Sequence, residues 1–139
     1  YQVACCLMHN GEKPEYDNFL DDMCQDMRDS LTIAKSAGIA DDKIILDPGV
    51  GFGKTYEHNL TAIWHLERLV ELGYPVLLAT SRKGTIGRAL DLPTDQRVEG
   101  TMVTTVIGVE KKASFVRVHD VKENLRAIRM TQAIMREGR

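Results

Sequence analysis

Four apolar runs in this 139-residue chain end in residues that can do chemistry. Met8-His9-Asn10 closes the first, Asp47-Pro48-Gly49 the second and Ser81-Arg82-Lys83-Gly84 the third, and the fourth carries Arg117 and His119. A carboxylate, several cations, imidazoles and a hydroxyl thus fall at the same end of four successive runs. A folding requirement alone would not select those types together. Asp47 ends an apolar run, where an ionised carboxylate can accept two parallel hydrogen bonds from a planar ring with adjacent N–H donors. An N-cap or a partner for Lys83 is the competing role. Phe115, Arg117 and His119 share one face of the fourth run by period two, and Val116 and Val118 the other. A charged Arg117 in a buried strand needs an acceptor, either a ligand anion or a structural carboxylate.

The segment from Asp47 to Thr55, DPGVGFGKT, has glycines at alternate positions. These let a backbone pass close to a ligand or bend tightly. Two familiar phosphate motifs fail on it. A P-loop needs glycine six residues before Lys54, where Pro48 stands. The dinucleotide fingerprint starting at Gly49 needs glycine at 54, where Lys54 stands. Nucleoside triphosphate and nicotinamide readings are therefore rejected. Lys54 reads as a solvated loop lysine, with approach to a phosphate as the alternative. Arg82, Lys83 and Arg88 with Arg117 and His119 form a basic cluster after the third and fourth runs.

These groups must be positioned by the elements between them. Residues 2–9, 43–47, 75–81 and 114–120 are short and apolar, as in strands buried on both faces of a parallel sheet. Residues 16–37 carry a 3.6-period stripe of Phe19, Leu20, Met23, Met27, Leu31 and Ala34, with Gly38 as the expected stop. A second helix is expected over 57–72 on Leu60, Ile63, Trp64, Leu66 and Val70. A third is expected over 95–112 on Val98, Met102, Val106 and Val109. The last, over 121–137, rests on Leu125, Ile128 and Ile134, with Asp120 and Glu123 as a capping box. Four βα units predict a parallel sheet with helices outside it. Either an open doubly wound sheet or part of a (β/α)8 barrel fits, and both place ligands at the carboxyl ends of the strands. A whole barrel takes about 250 residues, so four units make close to half of one.

Composition sets the remaining bounds. Eighteen Lys and Arg against 20 Asp and Glu give a net charge of −2, and the isoelectric point is about 6.1. That balance argues against a dedicated nucleic-acid binder. Hydrophobic residues at 43% and charged residues at 27% describe a globular chain rather than disorder. No apolar run approaches the roughly 20 residues of a membrane helix, and no basic segment precedes an apolar stretch as in a secretory leader. The expected location is the cytoplasm. Cys5, Cys6 and Cys24 lack metal or redox spacing and read as reduced thiols. The chain opens at Tyr1 with an apolar run under way by residue 3, so further sequence is expected before it.

The motifs LMH at 7–9, ILDPGVGFGKTYEHN at 45–59, SRKGTIG at 81–87 and VRVHDVKE at 116–123 resemble dihydropteroate synthases, a pterin-binding family of folate biosynthesis. The resemblance spans essentially all of residues 1–139 and aligns them with the C-terminal half of those enzymes. It implies the C-terminal half of a (β/α)8 TIM barrel and a partial pterin-binding domain. The family condenses 6-hydroxymethyl-7,8-dihydropterin pyrophosphate with p-aminobenzoate, giving 7,8-dihydropteroate and pyrophosphate. By matching position, Asp47 would bind the pterin's amino-pyrimidine edge and Lys83 the pterin ring. Met8 would pack on the pterin, Gly51 and Phe52 would border the pocket, and Arg117 and His119 would hold pyrophosphate. Ser81 and Arg82 would lie on the p-aminobenzoate side. No covalent nucleophile is implied. Magnesium is implied, with its ligand in the N-terminal half, so no metal ligand is expected here. The full-length enzyme would be a homodimer, and this piece alone is expected to be inactive, with unpaired strand edges near 3–8 and 114–119. Two rivals remain: a methyltetrahydrofolate–corrinoid methyltransferase-like protein, which has no pyrophosphate to hold, and a non-catalytic or partner-dependent pterin-binding half-barrel.

Overall fold

The computed structural model describes residues 3–138. Four strands are present, β1 (Cys5–Met8), β2 (Ile44–Asp47), β3 (Leu77–Leu78) and β4 (Phe115–Val116). Six helices follow or separate them: α1 (Phe19–Ser36), α2 (Tyr56–Trp64), α3 (Glu67–Val70), α4 (Gly84–Leu90), α5 (Val98–Glu110) and α6 (Val121–Glu137). The first expected strand began at Gln2, which lies outside the described residues.

The strands run parallel and in chain order. Cys5 to Met8 pair with Ile44 to Asp47, Leu46 bridges to Val76, and Leu77 and Leu78 pair with Phe115 and Val116. Alternation then sorts the side chains. Leu7, Leu46, Leu78 and Val116 point toward the helices and join one core with Met27, Leu31, Ile63, Leu66 and Leu69. Each fully buried aliphatic side chain of this core contributes about 1.5–3 kcal/mol, and Leu7 and Val116, partly buried, contribute less. The opposite face carries Cys6, Met8 and Phe115, all exposed. Helices on one face and an unreversed strand order exclude the doubly wound alternative, which needs helices on both faces and a switch in strand order. The architecture is that of consecutive barrel units.

Several expected elements are corrected. The helix expected over 57–72 is broken into α2 and α3 at His65 and Leu66, which lets Leu66 and Leu69 bury completely while Leu60 and Trp64 stay exposed. A helix not among those expected, α4, forms over Gly84–Leu90 and takes in the end of SRKGTIG. The buried face of α5 is Thr101, Thr105 and Gly108, not its valine stripe. Here the helix sits so close to β3 that a Cβ on Gly108 would lie 2.8 Å from Leu78 Cδ2, and Thr105 donates to Asn124 at 2.7 Å across the seam with α6. The apolar residues Leu125 and Ile134 of α6 are correspondingly exposed. Asp120 does not cap α6 with its side chain, because its carboxylate is taken by Arg82.

Candidate functional site

Register brings the site together. Met8 is paired with Asp47 at the carboxyl ends of β1 and β2, on the face away from the helices. Asp47 is buried, and its Oδ1 accepts the Gly49 N–H at 2.7 Å. Burial raises its pKa above the ordinary aspartate value. The Gly49 N–H and the charges of Lys83, Arg117 and Lys54 oppose that shift without overcoming it. A carboxylate so placed still has an oxygen to offer a ligand.

Lys83 stands beside it. Its ammonium donates to the Val50 carbonyl and lies 4.9 Å from the centre of the Phe52 ring. Burial lowers its pKa. Lys83 also divides two cavities. One, of about 380 Å³, is lined by Val50, Gly51, Phe52, Lys54, Lys83 and Arg88, among others. The other, of about 350 Å³, is lined by Ala79, Ser81, Lys83, Arg117, Val118 and His119. Ser81 Oγ accepts the His119 backbone N–H at 3.0 Å and lies 2.9 Å from His119 Nδ1. With that hydroxyl donating to Nδ1, the ring presents an Nε2–H to the cavity.

Met8, Asp47, Gly51, Phe52, Ser81, Lys83, Arg117 and His119 therefore gather at one end of the sheet, as their sequence positions implied. Arg82 does not join them in either cavity wall. Its backbone is left-handed, at φ 56°, a conformation that costs an L-residue roughly 1–2 kcal/mol. Its guanidinium turns to Asp120 in a bidentate pair, at 3.0 Å and 2.6 Å.

Lys54 departs furthest from expectation. It is not a solvated loop lysine. Its Nζ lies 2.7 Å from His9 Nδ1 and donates to the carbonyls of Phe52 (3.0 Å), Gly49 (3.1 Å) and His9 (3.3 Å). An ammonium only donates, so His9 accepts at Nδ1 and carries its proton on Nε2, 3.1 Å from Asp26 Oδ2. Burial, then the Lys54 charge, lowers the His9 pKa and keeps the ring neutral. This Asp26–His9–Lys54 chain ties α1, the end of β1 and the loop after β2 into one unit. Residue types in DPGVGFGKT showed a loop, but not that its lysine folds back beneath it.

Burial lowers the Lys54 pKa from 10.5 to about 8. Between those values the unfolded chain holds a proton that the folded chain has lost, so this group makes stability rise with pH there. The unfolding free energy of the native chain relative to a Lys54→Met variant is expected to increase from about pH 8 to about pH 10.5. Urea unfolding across that range measures it, and a flat difference would refute the buried ammonium.

Comparison with known proteins bears on the family and the fold. Residues 1–119 match the pterin binding enzyme family. The chain is 59% identical over 137 residues to a dihydropteroate synthase of Clostridium beijerinckii, covering 98% of this chain and 51% of that protein. It is 49% identical to that of Bacillus subtilis, covering 99% and 48%. Among solved structures, the dihydropteroate synthase of Clostridium difficile crystallised with pteroic acid superposes with a TM-score of 0.93 at 45% identity, over 98% of this chain and 52% of that one. The Xanthomonas albilineans enzyme with 4-aminobenzoic acid gives 0.92 at 35% identity, over 96% and 50%. The chain thus spans about half the length of the relatives it matches. The ordered strand ends, the DPGVGFGK loop beneath Asp47 and these matches together make the chain a member of the pterin-binding enzyme family, folded as part of its barrel.

Proposed function

We propose that this chain supplies the pterin- and pyrophosphate-binding part of a dihydropteroate synthase, which joins 6-hydroxymethyl-7,8-dihydropterin pyrophosphate to p-aminobenzoate. The observation that carries the reading is Asp47, a buried carboxylate at a strand end with one oxygen fixed by Gly49 and with Lys83 and Arg117 acting on it. Its open oxygen and the shared edge of Oδ1 accept the ring N–H and amino donors of the pterin. Met8 packs on the ring, Gly51 and Phe52 border it, and Lys83 contacts it from the neighbouring strand end. Arg117 offsets the charge of the leaving pyrophosphate, His119 donates a hydrogen bond to it, and Ser81 orients His119. The C–O bond to pyrophosphate breaks, the p-aminobenzoate nitrogen bonds to the methylene carbon, and that nitrogen loses a proton. Position and electrostatics stabilise the cation-like methylene, so no enzyme nucleophile enters. The cavity beside Phe52, Lys83 and Arg88 suits the carboxylate-bearing second substrate.

Magnesium would assist pyrophosphate departure in this reading. Among the described residues no three His, Cys, Asp or Glu side chains converge as a metal site. No step is therefore assigned to the metal here, and its ligand is proposed in the complementary half. The exposed inner face, with Met8 and Phe115, and the exposed residues of α6 are surfaces that such a half would cover. The working enzyme is proposed as a cytoplasmic homodimer. The apolar groove of α2, α4 and α5, where Trp64 and Val103 are exposed, is the surface offered to a second copy. None of the helices is long and apolar enough to cross a membrane, among the described residues.

The test is complementation in vitro. Mixed with residues of the Bacillus subtilis relative that precede the matched region, the chain is expected to release pyrophosphate when given both substrates. Pteroic acid binding without turnover in every such mixture would favour a non-catalytic pterin module. Turnover of a methyl-folate without pyrophosphate release would favour the methyltransferase alternative.

A further inference from the structure

The ladder between β3 and β4 is short. It ends at the Arg117 N–H, which donates to the Leu78 carbonyl at 3.1 Å. Beyond that point the chain segments bearing Lys83 and His119 are joined by side chains. Ser81 meets His119, and Arg82 meets Asp120 through Nε and Nη2 at 3.0 Å and 2.6 Å. Arg82 lies between Ser81 and Lys83, and Asp120 follows His119.

Arg82 is also held from behind. Its N–H donates to Thr101 Oγ1 at 3.1 Å, and its carbonyl accepts Arg97 Nη1 at 3.0 Å. Arg97 is itself fixed by the Leu92 carbonyl at 2.9 Å and packs so closely on Gly87 that a Cβ there would lie 2.2 Å from Nη2. A left-handed arginine anchored at its N–H, its carbonyl and its guanidinium marks a conformation that the surroundings impose. Arg82 lines neither of the two cavities at the strand ends, and its guanidinium is bonded to Asp120.

We propose that Arg82 is a positioning residue, whose bidentate bond to Asp120 fixes the spacing between Lys83 on one strand end and His119 on the next. The inference rests on the substrate reading above and adds to it a residue that touches no substrate. A guanidinium is needed because its planar fork meets both carboxylate oxygens at once, whereas an ammonium is a point donor. Lost spacing of this kind affects a pre-set anion site by about tenfold or more.

The experiment uses this chain with Arg82→Lys, Asp120→Asn and the double variant. Inorganic pyrophosphate is the probe, titrated by nuclear magnetic resonance, with the His119 ring nitrogens followed in the same samples. Each single variant is expected to shift the His119 resonances and weaken pyrophosphate binding about tenfold. The double variant is expected to be no weaker than the worse single one, because both remove one bond. Unchanged His119 signals in well-dispersed spectra, or additive losses in the double variant, would overturn the proposal. If the native chain binds no pyrophosphate, the substrate reading falls, and the His119 resonances alone still decide whether the clamp positions the ring. Should Arg82→Lys fail to fold, the near-isosteric Asp120→Asn carries the same comparison.

Discussion

Asp47→Asn is expected to weaken pteroic acid binding by about a hundredfold or more while leaving the chain as stable as before, or more so. The substitution separates two jobs of one side chain. Asparagine keeps the Oδ1 that accepts the Gly49 N–H, so the turn after β2 survives. It replaces the other oxygen with an NH2 group, which sets donor against donor at the pterin edge. The stability expectation follows from the raised pKa of Asp47. Between the ordinary aspartate value and the raised one, the folded state holds a proton that the unfolded state has lost. Stability contributed by this group therefore falls as pH rises through that window, and at neutral pH the whole cost of the buried charge is present. Removing the charge removes that cost. Binding has the opposite dependence, since only the ionised form accepts both donors. Affinity should fall on acidification at a higher pH than an ordinary aspartate would give. Calorimetric titration with pteroic acid and thermal unfolding of the same samples check both halves. Equal affinity in the variant would remove Asp47 from the site, and a large loss of stability would make it a structural carboxylate.

That separation explains why the strand ends were legible in the sequence and their supports were not. Asp47, Lys83, Arg117 and His119 stand at the ends of short apolar runs, and a parallel sheet must bring such ends together. Their convergence needs no side-chain detail. Arg82 has the same local setting as Lys83, and Lys54 sits among the glycines after β2, yet both do different work. Arg82 turns to Asp120, and Lys54 folds under its own loop to His9. Which way a long flexible cation turns depends on acceptors tens of residues away, and periodicity does not encode those. The helix stripe failed on α5 for a related reason. Hydrophobic periodicity finds the apolar face, but here the helices approach through Gly108 and the Thr105–Asn124 pair, which allow closer packing than valines would. The clearest signal that sequence offered but did not resolve was the alternation of glycines in DPGVGFGK, compatible with either a ligand passing close or a bend.

The structure favours the bend at two of those glycines, and Gly49→Ala is expected to have the largest effect on stability. Gly49 has φ 65°, and a Cβ there would lie 1.9 Å from the carbonyl oxygen of His9. That oxygen is backbone at the end of β1, where the His9 N–H donates to the Asp47 carbonyl at 3.0 Å. Neither chain can retreat without opening the join between β1 and β2 and removing one acceptor of Lys54. A loss of about 3 kcal/mol or more is expected, from backbone strain plus the displaced contacts. Gly73 supplies the control. It has φ 87°, and nothing lies within 4 Å of where its Cβ would be, so Gly73→Ala should show the conformational cost alone, about 1–2 kcal/mol. Gly51 resembles the control rather than Gly49. Its nearest neighbour would be Lys83 Cδ at 3.5 Å, an ordinary contact with a side chain that borders both cavities. Urea unfolding of the three variants orders them directly. Equal losses at Gly49 and Gly73 would mean that the loop does not stack on the end of β1. A much larger loss at Gly49 would show that it serves the packing of the loop on the end of β1, and Gly53, whose Cβ would lie 2.2 Å from the Gly11 carbonyl oxygen, is placed to do the same against the loop after β1. Gly51, alone in facing the cavity, is then the glycine whose substitution should alter ligand affinity more than stability.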